Sequence, residues 1–297
     1  MADRDPRSAL LARCTFAAAG TSVACAVSGG ADSTALLALA VAAGLDITAI
    51  HVDHGLRTGS AAEADLVAAN AARLGADFRS ERVAVGEGPN LEARAREARY
   101  AVLPAGVLTG HTADDQAETV LINLLRGAGT SGLAAMRPGP QHPILALRRA
   151  ETVALCETMQ LPTVHDPSNT DPRHLRNRVR LELLPLMADM AQRDPVPILA
   201  RQAALTRDED DLLDQRAAEI DPTDAKAIAA APTALARRAV RRWLTTTHPP
   251  DAATVERVLS VARGASLATD VGGGRRVERH QQRLTLGPDE PGAQRVT

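Results

Sequence analysis

The residues best suited to chemistry begin with Ser28-Gly29-Gly30-Ala31-Asp32-Ser33, set between an apolar run, Val23 to Val27, and a helix-forming stretch, Thr34 to Ala43. Adjacent glycines let a backbone adopt positive φ and approach a ligand closely. A loop that opens a helix presents free N–H groups and the positive end of the helix dipole, an arrangement that favours phosphate. Ser28 and Ser33 add hydroxyl donors. Asp32 by itself would repel phosphate, but a bridging Mg²⁺ takes carboxylate and phosphate oxygens together and removes the conflict. The ordinary alternative is a strand-to-helix turn with Asp32 or Ser33 as its N-cap.

A second cluster, His111-Thr112-Ala113-Asp114-Asp115-Gln116-Ala117-Glu118-Thr119, follows the short run Gly106 to Gly110. His111 and Asp115 are four residues apart and would share a helix face. Here the ordinary alternative is a capping box of Thr112 with Asp115, since acids suit a helix start. Arginines gather in three further stretches: Arg96 and Arg99 in NLEARAREARY, Arg176 and Arg180 in HDPSNTDPRHLRNRVRLELLP, and Arg237, Arg238, Arg241 and Arg242 in ALARRAVRRWL. In the last two, residues four apart share a helical face. Each stretch also reads as a solvated helix face, with Glu92 to Arg96 as an ordinary i,i+4 pair.

The elements that would position these groups alternate strand and helix. Strands are expected at Val23 to Val27, Ile47 to Val52, Phe78 to Val85 and Gly106 to Gly110, with helices at Ser8 to Ala19, Thr34 to Ala43, Ala61 to Leu74, Leu91 to Leu103 and Ala113 to Arg126. Such alternation argues for an α/β fold, a parallel sheet with helices on both faces. After a Gly- and Pro-rich connection from Gly127 to Pro143, helices are expected at Ala150 to Met159, His174 to Met187 and Pro195 to Ala218. From Asp221 the chain reads as a small, mainly helical C-terminal domain that closes on a hairpin, VGGGRRVERHQQRLTL. The expected division is a catalytic domain at 1–192, a linker helix at 193–218, a small domain at 219–290 and a disordered tail at 291–297.

Composition narrows the function. Of 34 Lys and Arg residues one is lysine, Lys226, so neither a Walker A loop nor a kinase strand lysine is available. Lys226 stands in a polar, alanine-rich stretch, unsuited to Schiff-base chemistry. Aromatics are 1% of the chain, so the core must be Ala, Val, Leu and Ile, and stacking on rows of aromatics is excluded as a way to hold nucleic acid. With a net charge of −2, any polyanion would have to be met by local arginine clusters. Cys14, Cys25 and Cys156 are too far apart for a CxxC pair and read as reduced thiols of a cytoplasmic protein. No membrane span or signal peptide is expected: no apolar run approaches roughly 18 residues, and the start, MADRDPRSALLAR, is charged.

SGGADSTAL resembles the PP-loop of the ATP pyrophosphatase superfamily, which implies a PP-loop ATPase, Rossmann-like fold and cleavage of ATP between its α and β phosphates. GHTADDQAETVLINLLRGAGTSGLAAM resembles the signature of one branch, the tRNA(Ile)-lysidine synthetases, and NLEARAREARY, HDPSNTDPRHLRNRVRLELLP and the C-terminal stretch are similar to its other segments. Because longer members carry a further C-terminal domain, this chain matches the short form. The resemblance implies that ATP adenylates O2 of the wobble cytidine in an isoleucine tRNA with a CAU anticodon. The ε-amine of free L-lysine then attacks C2 and expels AMP. It implies ATP contacts from Ser28, Gly29, Gly30, Ala31, Asp32, Ser33, Val52 and His111, with Mg²⁺ on Asp32. Asp115 is the candidate proton acceptor for lysine, Arg96 the phosphate stabiliser, and Arg176 the residue orienting cytosine or lysine. Arg180, Arg237, Arg238, Arg241 and Arg242 are candidate tRNA contacts. His51 and His54 fall where adenine would be recognised, although His51 reads equally as a packed strand residue. A PP-loop tRNA thiolase, which needs catalytic cysteines, and a non-catalytic adenine-nucleotide-binding module are the alternatives.

Overall fold

A computed structural model describes residues 5–53, 60–83, 91–165 and 170–288. His54, the tail after Pro288 and the side chain of Arg96 lie outside the described residues. The chain divides into two compact units, Met1–Leu205 and Thr206–Thr297.

In the first unit a short helix, α1 (Ser8–Leu11), precedes β1 (Ser22–Ala26), α2 (Ala31–Ala42), β2 (Asp46–Asp53), α3 (Ser60–Leu74), β3 (Asp77–Arg82) and α4 (Leu91–Val102). The three strands are parallel in the order β1-β2-β3, with Cys25 opposite Ala49 and Ala49 opposite Phe78. The two-residue period of a strand sorts its side chains between two cores. Val23, Cys25, Ile47 and Ala49 join Leu36, Leu39, Val67 and Leu155 on one face. On the other, Ala24, Ala26, Ile50 and Val52 pack with Leu103 and Val107. Because α2 is apolar all round, it is buried along most of its length, as such a helix must be.

The remaining helices of this unit are α5 (Ala113–Leu125), α6 (Thr130–Leu133), α7 (Arg149–Thr158), α8 (Leu175–Arg178) and α9 (Leu184–Ala191). A third apolar cluster joins Ala117, Leu121 and Ile122 of α5 to Val179, Leu184 and Val196. The Gly- and Pro-rich connection after α5 is tied back to that helix, since Gln116 exchanges two hydrogen bonds with the Met136 backbone and Asn123 donates to Gly132 O.

Three expectations change in this unit. The helix expected over Ser8 to Ala19 stops at Leu11, because the Thr15 N–H turns to the Pro143 carbonyl, 2.9 Å away. The strand expected over Gly106 to Gly110 contracts to one bridging residue, Leu108, paired parallel to Cys25 on the free side of β1. There Thr109 ends the ladder by giving its N–H to Gln141 O. Between α8 and α9 the helix expected over His174 to Met187 widens into a π turn, Val179–Leu183. Pro185 follows at once; it lacks an N–H and its ring would crowd the Leu181 carbonyl in an α-turn, which the wider turn relieves.

α10 (Pro195–Ala218) contains the boundary between the units. The second unit continues through α11 (Ala225–Ala230), α12 (Thr233–Leu244) and α13 (Ala252–Ala262) to β4 (Ala268–Gly272), β5 (Arg275–His280) and β6 (Arg283–Pro288). Asp224 and Asp251 cap α11 and α13. The expected hairpin is a three-stranded antiparallel sheet, order β4-β5-β6, because its glycine run and Gln281-Gln282 both turn the chain. Val240, Leu244, Val258, Leu259, Val277 and Leu284 form its core. No described helix in either unit is long and apolar enough to cross a membrane.

Candidate active site

Between β1 and α2 the chain turns on Gly29, whose φ of +87° is a left-handed value that glycine takes without strain. A Cβ there would also lie 2.8 Å from Val164 Cγ2. Ser33 ties the loop together: its hydroxyl donates to Gly30 O at 2.9 Å, accepts the Ser28 N–H at 3.2 Å, and lies 3.2 Å from Ser28 Oγ. Gly30 is the N-cap of α2 and no side chain caps that end, so the first-turn N–H groups keep the anion-binding character expected of them. Asp32 and Ser33 are thus inside the helix, and neither is its N-cap.

The second cluster is pressed against this loop. A Cβ on Gly110 would fall 2.9 Å from the Asp32 carbonyl and the Ser33 nitrogen. Beyond it, the Thr109 hydroxyl meets Gln141 O at 3.0 Å, His111 Nδ1 at 2.8 Å and His142 Nδ1 at 2.7 Å. A hydroxyl has one proton; given to the Gln141 carbonyl, it leaves both imidazoles donating from Nδ1. The His111 and His142 rings are edge to face, with centroids 5.0 Å apart.

Asp115 carries the capping reading of HTADD, whereas His111 precedes the Thr112 N-cap and so shares no helix face with Asp115. Asp115 Oδ2 accepts from the Thr112 N–H and hydroxyl, each at 2.9 Å, which is the capping interaction. Oδ1 faces the other way and receives Arg149 Nη2 at 2.9 Å. The same guanidinium donates from Nη1 to Glu118 Oε1 at 3.0 Å and from Nε to Asp32 Oδ2 at 3.2 Å. Arg149 therefore joins the glycine loop to the acids of α5. Thr152, nearly one turn further along α7, donates its hydroxyl to Asp32 Oδ1.

Glu118 is fully buried. Arg180 reaches it from Nε at 2.7 Å and Nη2 at 3.0 Å, and Arg176 Nε is 3.5 Å away. Arg176 also donates to Thr119 Oγ1 at 3.1 Å. These two arginines thus share a face, as their spacing suggests, and that face meets buried acid. Asp114, the other acid of the pair, is structural: it receives Arg148 Nε at 3.0 Å and Nη2 at 3.1 Å, and the Arg149 N–H at 2.8 Å.

These contacts divide the charges. Burial pushes the Asp32 carboxyl up; Thr152 and Arg149 pull it back, the charge of Asp115 adds to the rise, and the net direction is upward. Burial pushes Asp115 up as well, but Arg149 and the Thr112 N–H more than offset it and hold the group below its usual range. Burial alone would lower Arg149; Asp115, Glu118 and Asp32 together raise it instead. Shared among three acids, this one cation compensates Asp115 and leaves Asp32 undercompensated.

Among the expected residues, Ser28, Gly29, Gly30, Ala31, Asp32, Ser33, His111, Asp115, Arg176 and Arg180 gather in this region of the first unit. Val52 is half-buried on β2. His51 is buried, and its Nδ1 lies 3.0 Å from Val27 O, so it is a packed strand residue. Arg99 is exposed on α4. In the second unit Arg238 is engaged by Asp210 and Asp214, and Arg237 by Glu256. Arg241 and Arg242 are exposed and make no ion pair among the described residues. Arg149, Glu118 and Thr152 were not singled out by the sequence. One signal was present: Arg148 and Arg149 open a helix, where the dipole disfavours cations, so acids had to be nearby.

The PP-loop domain profile matches residues 8–187, and the TilS substrate binding domain profile matches residues 224–285. A tRNA(Ile)-lysidine synthase from Nocardia farcinica is 45% identical over 242 residues, covering 76% of each chain. Another, from Thermobifida fusca, is 40% identical over 302 residues, covering 91% of this chain and 93% of its own. Among solved structures, a U34-tRNA thiolase from Methanococcus maripaludis aligns with a TM-score of 0.53 at 16% identity, over 68% of this chain and 78% of its own, a likeness of fold alone. In this chain Cys25 and Cys156 are buried, and burial pushes the Cys156 thiol up to about 11, far from the reactive thiolate that sulfur chemistry needs.

The contact at Gly110 gives a direct test. Gly110→Ala places a methyl group against the backbone of α2, an overpacking that costs about 1–3 kcal/mol. The dissociation constant of a fluorescent ATP analogue should rise about tenfold if most of that cost falls on the bound loop conformation. Unchanged affinity would show that the two motifs do not shape each other.

Proposed function

This chain belongs to the tRNA(Ile)-lysidine synthase family, and from that premise we propose how its own residues carry the reaction. The protein is a ligase that uses ATP to form lysidine on tRNA(Ile). We assign the chemistry to the first unit and tRNA contact to the second. One observation supports the residue assignments above all: the uncapped first turn of α2 and the buried acids of α5 meet across a single arginine.

ATP binds with its phosphates on the N–H groups of the Ser28–Ser33 loop, with His111 along the pocket and the Val52 backbone towards adenine. Arg96 is assigned to phosphate charge. A Mg²⁺ ion fits beside Asp32: the carboxylate is largely buried and undercompensated, and one carboxylate together with substrate phosphates is a usual ligand set. When bound, the ion would neutralise phosphate charge. Among the described residues no group of three His, Cys, Asp or Glu is placed to hold a metal unaided, which fits an ion that arrives with nucleotide.

Adenylation at O2 turns a poor leaving oxygen into a good one, and the lysine ε-amine then forms the bond to C2 as AMP departs. Free lysine carries an ammonium near pH 7, so the site must first hold a cation and then remove a proton. Asp115 Oδ1 and Glu118 provide the buried negative charge for the first task. Paired with Arg149 and held below its usual range, Asp115 stays ionised and accepts a proton poorly. It becomes a proton acceptor once the charge of Arg149 has withdrawn. Arg176, anchored on Thr119 and Glu118, orients the activated cytosine or the lysine carboxylate. We place the reaction in the cytoplasm, with free L-lysine and isoleucine tRNA bearing CAU as substrates.

For tRNA, Arg241 and Arg242 are the best placed of the four arginines on α12, because Arg237 and Arg238 are already engaged by acids. Arg180 belongs with Glu118 in the same way.

Incubation with ATP, Mg²⁺, labelled lysine and isoleucine tRNA bearing CAU should put label in the tRNA and release AMP and pyrophosphate. Asp32→Asn should keep the circular dichroism of the parent and lose pyrophosphate release; normal release would remove Asp32 from metal binding. In Asp115→Asn, adenylation should persist while lysine transfer slows at least 100-fold, the usual contribution of a general base. Transfer at the parental rate would end that assignment. Exchanging Arg241 and Arg242 for Gln should weaken tRNA binding and lower its salt slope by about one unit for each phosphate no longer neutralised. An unaltered slope would place tRNA elsewhere on the second unit.

A further inference from the structure

We propose that Arg149 is a transferable counter-cation that couples nucleotide binding to lysine binding. With no nucleotide it neutralises Asp32, Asp115 and Glu118 together. When metal and nucleotide dock, its guanidinium is drawn off Asp115 towards the phosphates and clears the place of the lysine ammonium. This rests on the assignment of ATP to the glycine loop and of lysine to Asp115 and Glu118.

Four features of the site support it. Each arm of the guanidinium has its own acid: Nε on Asp32, Nη2 on Asp115 and Nη1 on Glu118. The same carboxylate oxygens are those a metal and an ammonium would need, because Asp32 Oδ1 is occupied by Thr152 and Asp115 Oδ2 by Thr112. Next, the base of the side chain is fixed. Asp114 holds the Arg149 N–H, and Arg148 is bound to Asp114 and Asp194, so α7 stays in place while the guanidinium moves. Finally, the acids of α5 have cations in reserve. Arg180 is bidentate on Glu118 and its Nη2 lies 4.0 Å from Asp115 Oδ1. Glu118 therefore remains paired when Arg149 leaves, whereas Asp32 keeps the Thr152 hydroxyl and is open to metal.

The direction of coupling follows from charge. In the structure three guanidinium groups surround Asp115 and Glu118, and against them an arriving ammonium is repelled. Polyphosphate at the start of α2 offers Arg149 a denser anion than any one carboxylate, and a metal ion on Asp32 removes its Nε partner. Both changes pull the guanidinium off Asp115. Nucleotide should therefore strengthen lysine binding, and by linkage lysine should strengthen nucleotide binding by the same factor. Arg149 is a positioning residue on this account: it acts through Asp115 and makes no bond to the reacting atoms.

The test is calorimetric titration of lysine into the full chain, without tRNA, in the presence and absence of Mg²⁺ and an α,β-methylene analogue of ATP. The parent should bind lysine about 5- to 150-fold more tightly with the analogue, the range usual for coupled sites. Arg149→Gln should bring that factor close to one, by improving lysine binding in the free chain. Arg149→Lys keeps one charge without the three-way fork and should give a factor between the two. If Arg149→Gln does not fold, the parent and Arg149→Lys decide, and a factor for Arg149→Lys equal to that of the parent overturns the proposal. Equal lysine affinity with and without analogue in the parent, or an undiminished factor in Arg149→Gln, also overturns it. If the parent binds lysine in neither state, the pocket at Asp115 and Glu118 fails and the coupling fails with it.

Discussion

Everything around the candidate site answers one constraint: Asp32, Asp115 and Glu118 lie near the starts of two helices, α2 and α5, that one arginine bridges, and all three are largely withdrawn from water. Buried charge without a partner costs several kcal/mol per ion. The nearest backbone cannot meet that demand, because the helix starts of α2 and α5 offer partial charges only, and Thr112 has spent its N–H on one oxygen of Asp115. Full cations have to come from other elements. Arg149 enters from α7, Arg176 from α8 and Arg180 from the π turn, and the path of the chain from Pro143 to Leu184 can be understood as the route that delivers them. Asp114 belongs to the same scheme one step removed, since it restrains the two arginines at the start of α7, where the helix dipole works against them.

The backbone imposes a matching constraint of volume. Gly29 and Gly110 are the two positions where a methyl group would strike something that matters to the site: Val164 for the first, the first turn of α2 for the second. The first approach seats the segment at Val164 against the glycine loop; the second brings the loop after β1 and the loop after Leu108 to a common edge, at the carboxyl ends of parallel strands. Ligands of open α/β sheets bind there, because helix starts converge at that edge. Sheet order decides which loops meet. Leu108 pairs with the side of β1 away from β2, so the segment leading into HTADD lies next to the segment leading into SGGADS.

How much of this was legible in the sequence depended on whether a residue's partner was local. The glycine loop declared itself because its helix start, glycines and hydroxyls are adjacent in the chain. The capping role of Asp115 was legible for the same reason, as was the shared face of Arg176 and Arg180. What that face meets was not legible, since Glu118 is far away in the chain and looks like any acid in a polar helix turn. Arg149 was hidden more deeply: beside Arg148 it reads as a solvated pair, and its three partners come from two other elements. The strand at Leu108 and the helix through Val179 miscarried for a related reason. Each carries the correct pattern, but a contact to Gln141 and the ring of Pro185 reset the backbone over a few residues.

The scarcity of lysine takes on a sharper meaning at this site, whatever its origin in composition. A fork shared by three acids needs several fixed N–H directions, and only arginine supplies them; an ammonium on a flexible stem would favour one acid and leave the others exposed to mutual repulsion. A second consequence is chemical. The reaction needs a neutral primary amine beside an activated carbon, so a lysine side chain within reach would be a rival nucleophile whenever burial lowered its pKa. Arginine retains its proton and cannot compete. The chain's one primary amine on a side chain, Lys226, is exposed on α11 in the second unit. A site that must hold its acids with cations, and yet admit only a substrate amine to the reaction, is therefore restricted to arginine on chemical grounds alone.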